Sequence, residues 1–305
     1  MPKRYSSIHE IEPTYRTGRN DPVPTGSHTG MIVNHAEILP KVGTGYPDTG
    51  QVMTIERNYN HMKNLTLIIF ASITLGLISC SKEDRKAKEL INRSIKAHGG
   101  QATWNELQGF AMEKETWLYF EDGETEAHSV QYNSFRNTPY FEATISWETD
   151  GMLHRLSFDG SKTHYIMGEN EIQNEGFLQN KKRDIDAAYY VLNKPFDLLE
   201  GGKNLVYQGE TTLPEGQQVE VVQVIDGNPQ DPLQDIWWYY FDAETAVLVG
   251  YKVKTSDHFS LVYNRAWDES LGIRFPSKRE SYRVDSASNV LYLRAAYEYR
   301  NFERK

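Results

Sequence analysis

From Gly109 to the end of the chain, apolar and polar residues alternate with a period of two, broken at intervals by Asp-Gly pairs. That pattern constrains the fold most. A period of two places alternate side chains on opposite faces of a strand, and Asp-Gly is a turn dipeptide because both residues tolerate positive φ. Strands are expected at Phe110–Phe120, Ala127–Arg136, Tyr140–Trp147, Met152–Phe158 and Lys162–Met167, with turns at Asp122-Gly123, Asp150-Gly151 and Asp159-Gly160. Seven more follow at Leu205–Thr212, Val219–Ile225, Ile236–Phe241, Val247–Val253, Phe259–Trp267, Ile273–Val284 and Val290–Phe302. Short strands at roughly ten-residue spacing predict an antiparallel meander. About 11–12 such strands do not stay flat, so the sheet is expected to curl into a half-barrel.

Helical spacing occurs in two places. Ala87, Leu90, Ile91, Ser94 and Ile95 recur three and four apart within Arg85–Ala97, and Gly99-Gly100 stops that helix. Trp104 and Leu107 mark a short helix or turn after it. A second helix is expected over Asp184–Leu199, kinked or divided at Pro195 and ended by Gly201-Gly202. The fold class is therefore mainly β, with an N-terminal helix pair and a central helix covering the sheet. In Ile236–Phe241 aromatic residues alternate on both faces: Trp238 and Tyr240 on one, Trp237 and Tyr239 on the other. Such a strand is expected to be covered on both sides. Trp104, Trp238 and Tyr240 are the candidate ligand-binding residues, although Trp104, just after a Gly-Gly turn, reads rather as a packing anchor that pins the helix on the sheet.

The stretch before the helices sets the compartment. Met62-Lys63 is a short positive region, Leu65 to Ile78 is apolar and free of charge, and Ser79 precedes Cys80, the one cysteine of the chain. Leu77-Ile78-Ser79-Cys80 resembles the lipobox of bacterial lipoproteins, which implies lipid attachment at Cys80 after removal of residues 62–79. The apolar run is short for a span of about 20 residues. Lys82-Glu83-Asp84, just after the cysteine, resembles the export stretch of surface lipoproteins in Bacteroidetes; an ordinary solvated tether is the other reading. Residues 1–61 hold six of the 12 prolines and no regular period, so they are expected to be a disordered or non-native upstream extension, with translation starting at Met62. Residues 80–86 then form the lipidated tether and 87–305 one domain.

The first 79 residues hold seven of the 33 Lys and Arg and six of the 42 Asp and Glu, which leaves residues 80–305 with ten more acidic than basic side chains. That balance disfavours nucleic acid as a partner.

Several patterns resemble a Bacteroidetes family of lipoproteins that carry a domain of unknown function. They are His98-Gly99-Gly100 with Trp104 and Leu107, Tyr207-Gln208-Gly209-Glu210, Tyr240 to Thr245 with Gly250-Tyr251, and Gly272-Ile273 through Phe275-Pro276. That family is similar in architecture to the LolA/LolB half-barrels. The resemblance implies an apolar cavity between sheet and helices and no catalytic residues.

No metal-ligand spacing stands out, and His154 and His164 fall on separate predicted strands. Neither a Gly-x-Ser-x-Gly elbow nor a phosphate loop occurs. Glu113/Glu115 and Asp242/Glu244 read as solvated faces. Asp285-Ser286-Ala287 resembles a short Bacteroidetes O-glycosylation motif, but three residues recur often by chance and the stretch reads rather as a polar hairpin turn. The expected function is that of a monomeric, non-enzymatic outer-membrane lipoprotein, at the periplasmic face or the cell surface, anchored through Cys80 and needing no cofactor. It would hold a lipid, an acyl chain or a lipidated protein. The alternative is a surface-exposed binder of glycan or protein that displays Trp237 or Tyr239, and a hydrolase would need His and carboxylates gathered in a cleft.

Overall fold

The computed structural model describes residues 82–228, 230–231 and 234–305. Cys80, the lipobox-like segment and the upstream extension lie outside the described residues. Three helices and 13 strands make up the described chain. Helix α1 covers residues 82–97 and α2 covers Gln101–Glu106. Strands β1 (Gly109–Tyr119), β2 (Thr125–Arg136), β3 (Glu142–Thr149), β4 (Met152–Phe158), β5 (Thr163–Met167) and β6 (Asn170–Glu171) follow. Helix α3 (Glu175–Tyr190) comes next. The chain closes with β7 (Lys203–Thr212), β8 (Gln218–Asp226), β9 (Ile236–Asp242), β10 (Leu248–Lys254), β11 (Phe259–Asp268), β12 (Phe275–Val284) and β13 (Val290–Arg304).

All strands join one open antiparallel sheet in the order β6-β5-β4-β3-β2-β1-β13-β12-β11-β10-β9-β8-β7. The chain starts at the centre and meanders to one edge. It passes through α3 to the other edge and returns to the centre, where β13 pairs with β1, with Trp117 opposite Ala296. The expected curved antiparallel half-barrel is the fold observed. The strand count rises to 13 because Asn170–Glu171 adds a two-residue edge strand, too short to carry an alternating pattern.

The main core lies on the face that α1 and α3 pack against. Ala87, Leu90, Ile91 and Ile95 of α1 are buried there, as their spacing requires. Phe110, Phe135, Tyr239, Phe241 and Phe275 are among its largest fully buried side chains. Each such ring removed from water contributes about 2–3 kcal/mol. A smaller cluster on strands β8 to β12 holds Val219, Val221, Tyr240, Val249, Leu261 and Tyr263, with Trp238 packed against it. Register explains the division: Tyr239 stands opposite Val222 and Tyr251, whereas Tyr240 stands opposite Val221 and Gly250.

Helix α3 differs from the expected Asp184–Leu199. It begins nine residues earlier, at Glu175, and ends at Tyr190. The start is set by Asn174, whose Oδ1 accepts the Phe177 N–H at 2.8 Å. The end precedes Pro195, which lacks an N–H and biases its predecessor away from helical angles, so residues 191–200 form turns. Asn174→Ala is expected to lower stability by about 1 kcal/mol, read as a shifted urea midpoint with an unchanged slope.

Candidate functional site

A cleft of about 1100 Å³ opens beside α3. Its lining comes from α3, from the β4–β5 hairpin, from the residues after β6 and from the turns that lead to β7. It thus lies where the chain crosses from one edge of the sheet to the other.

The wall is aromatic. Trp104, Phe141, Phe158, Tyr189 and Tyr190 line it with Ile172 and Leu178. Trp104 is half-buried and stacks on Phe196, with centroids 4.6 Å apart and planes 3° from parallel. Tyr189 packs on Phe141 at 4.7 Å and donates to Asn137 Oδ1 at 2.9 Å. Tyr190 exchanges a hydroxyl hydrogen bond with Tyr239 at 2.6 Å. Burial pushes both of these phenols well above the usual tyrosine range, so both stay neutral.

The polar side of the cleft is largely self-satisfied. Lys182 is paired with Asp186 and lies 4.5 Å over the Phe158 ring. Asp197 receives Lys194 at 2.7 Å and Lys203 at 3.6 Å on one carboxylate oxygen. Lys194 sits 3.3 Å from the Tyr190 ring centroid. Burial pushes its ammonium down to about 8, with Asp197 opposing that shift. These pairs fix the turns after α3 against the sheet. Glu175, Glu200 and Asp226 also line the cleft, so it offers an aromatic wall beside a polar one.

No protein-family model matches the chain, and no curated protein matches its sequence. Solved structures resemble it in fold. A DUF1329 family protein from Desulfovibrio piger aligns at a TM-score of 0.46 and 7% identity, over 72% of this chain and 92% of that one. The LolA superfamily protein NE2245 from Nitrosomonas europaea gives 0.46 and 7%, over 72% and 93%. A domain from Vibrio parahaemolyticus, described as of an outer membrane lipoprotein-sorting protein, gives 0.45 and 7%, over 73% and 93%. At such identity the likeness is one of chain course, without residue correspondence.

Of the three residues singled out by sequence, Trp104 alone lines the cleft. Trp238 and Tyr240 point to the opposite face and pack in the smaller cluster. Trp237 and Tyr239, which a surface binder would display, are instead 8% and 0% exposed, on the helix-covered face. They stack on each other at 6.1 Å and pack against Tyr190 and Tyr251.

His154 and His164 lie on opposite faces. His154 pairs in register with Met167, three residues from His164. His154 bonds to the Tyr165 hydroxyl at 2.7 Å. His164 sits between Glu171 and Asp159, which raise its pKa. Among the described residues no group of three or more His, Cys, Asp and Glu could hold a metal. Glu113 and Glu115 are clamped by Arg300, and Asp242 caps its own turn through the Thr245 N–H at 2.9 Å. Asp285 does the same for Asn289 at 2.9 Å, in the hairpin before β13. The residues missed by sequence reasoning are Tyr189, Tyr190, Phe141 and Phe158. The first two already fall inside the expected Asp184–Leu199 helix, where Ile185, Ala188, Tyr189 and Leu192 recur at three and four residues.

Proposed function

We propose that this chain is an envelope lipoprotein, anchored through acylated Cys80, that holds an apolar or amphipathic guest without catalysing a reaction on it. What carries the reading is the cleft of about 1100 Å³, walled by Trp104, Phe141, Phe158 and Tyr189 beneath a helix that bridges the sheet edges. Such a volume suits one acyl chain or a small lipid. The lipobox-like Leu77-Ile78-Ser79-Cys80 supports the anchoring and the envelope location. The neighbours that belong to the LolA superfamily and to lipoprotein sorting agree with a lipid or lipidated-protein guest. The guest could be taken up from the bilayer that holds the anchor.

Two measurements test this reading. Native mass spectrometry of the full chain, purified from its own envelope, is expected to retain a lipid adduct; a guest-free protein that also fails to take up decanol would overturn it. Cys80→Ala is expected to move the protein from the membrane to the soluble fraction, because each lost acyl methylene removes about 0.8 kcal/mol of anchoring. Retention in the membrane would make residues 65–78 a span instead.

A further inference from the structure

The charge that lines the cleft is mostly of one sign. Glu171, Glu175, Asp186, Asp197, Glu200 and Asp226 reach it, against Lys162, Lys182 and Lys203. Part of this charge is committed internally. Lys182 pairs with Asp186, and Glu171 with His164. Lys203 and buried Lys194 both go to Asp197. Among the described residues Glu175, Glu200 and Asp226 have no ion pair and no side-chain hydrogen bond, against Lys162 alone on the basic side. Asp197 is itself incomplete. Both lysines take its Oδ2, while Oδ1 is buried without a hydrogen-bond partner.

These groups gather at one end of the cleft, where the chain leaves α3 for β7. Glu200 lies in the turn after Asp197, and its N–H donates to the Asp197 carbonyl at 3.0 Å. Asp226 ends β8 opposite Lys203. Both Glu200 and Asp226 are exposed and stand open to a guest. The rings reach the same end: Trp104 stacks on Phe196, the neighbour of Asp197 in the chain. Burial raises the Tyr189 and Tyr190 phenols first, and the negative field adds to it, from Asp197 and Glu200 on Tyr189 and from Asp197 and Asp226 on Tyr190. Helix α3 has no basic residue in its last turn, so nothing within the helix offsets the partial negative charge of its final carbonyls.

Rings beside carboxylates attract cations, through the ring quadrupole and through direct charge. The cleft already holds its own ammonium groups in this way. Lys182 lies 4.5 Å over the Phe158 ring with Asp186 as its partner, and Lys194 lies 3.3 Å over Tyr190 with Asp197. We infer that the guest carries a positive charge: the cleft selects amphiphilic amines, with the ammonium at the Asp197, Glu200 and Asp226 end and the apolar chain along Trp104, Phe141 and Phe158. The inference rests on the guest-binding reading above and narrows it to a chemical class. The rings supply most of the affinity, and the carboxylates set the preference.

Titration calorimetry on the delipidated full chain tests this with decylammonium, 1-decanol, decanoate and methylammonium. Decylammonium is expected to bind about tenfold more tightly than decanol, and decanoate more weakly than decanol. Methylammonium, which has the head and no chain, is expected to bind far more weakly than decylammonium. Glu200→Gln combined with Asp226→Asn is expected to bring the amine down to the level of decanol. Glu121→Gln combined with Glu124→Gln removes as many carboxylates from the β1–β2 turn, outside the cleft, and is expected to leave the preference intact. A preference that survives in folded Glu200→Gln/Asp226→Asn overturns the inference. So does an equal loss in the β1–β2 variant, which would make net charge the cause, or tight binding of methylammonium. If decanol binds and decylammonium binds no better, this inference falls and the guest-binding reading stands. If neither binds, the guest-binding reading falls and this assignment with it.

Discussion

Gly99→Ala is expected to destabilise the protein by about 3–5 kcal/mol, combining backbone strain with forced overlap. Gly99 follows the last residues of α1 at φ +106°, a region that L side chains rarely occupy. A Cβ there would sit 2.3 Å from the Gly272 carbonyl oxygen and 3.2 Å from Ile273 Cδ1. The oxygen belongs to the backbone of the β11–β12 connection and cannot swing aside. The same joint is tied by the Arg274 N–H, which donates to the His98 carbonyl at 3.1 Å. Gly99 is therefore where α1 is pressed onto the sheet. Gly123→Ala supplies the comparison: its φ is +87°, but nothing lies within 4 Å of the added carbon. That substitution is expected to cost about 1 kcal/mol. Urea denaturation of both variants distinguishes close approach from torsion; equal losses would show that the Gly272 contact is irrelevant.

Acidification from pH 6.5 to 4 is expected to remove roughly 3 kcal/mol of stability through His98 alone. His98 is 2% exposed. Its Nδ1 lies 2.9 Å from the Ser94 carbonyl oxygen, which can only accept, so Nδ1 carries the proton of the neutral ring. Burial pushes its pKa down to about 4, and nearby Arg274 adds to the shift, while the Ser94 bond opposes it. The unfolded chain titrates near 6.5. Between the two values it binds a proton that the folded chain refuses, so folding weakens as the pH falls and is unaffected by this group above 6.5. The check is the slope of unfolding free energy against pH. It should be shallower in His98→Gln, whose amide can still donate to Ser94. Identical slopes would place the acid sensitivity in other groups.

The meander was readable because its signals are local. Asp122-Gly123, Asp150-Gly151 and Asp159-Gly160 each sit at a turn between consecutive strands, and α1 buries the stripe that its spacing marks out. The strand order was not readable, since the pairing of β1 with β13 joins residues almost at opposite ends of the domain. The boundaries of α3 were misplaced because Glu175 to Arg183 is mostly polar and shows little of the period that betrays a packed helix. Trp104 could be nominated from its Gly-Gly turn. Tyr190 and Phe158 reach the same cleft only through tertiary packing. The burial of Arg279 was invisible for a related reason. Lys278, Arg279, Glu280 and Ser281 are polar on both faces of β12, so alternation says nothing about which side is enclosed.

The place of β13 in the sheet governs how the domain comes into being. Its neighbours are β1 and β12, one the first strand made and the other the strand made just before it. As the chain emerges from a ribosome, β1 to β6 and β7 to β12 can form as two separate ribbons. Neither has its central neighbour until β13 arrives. Closing a loop that long is slow, so the two ribbons stay apart until residues 290–304 have been made. Deleting β13 would not trim a border; it would leave two unjoined flaps.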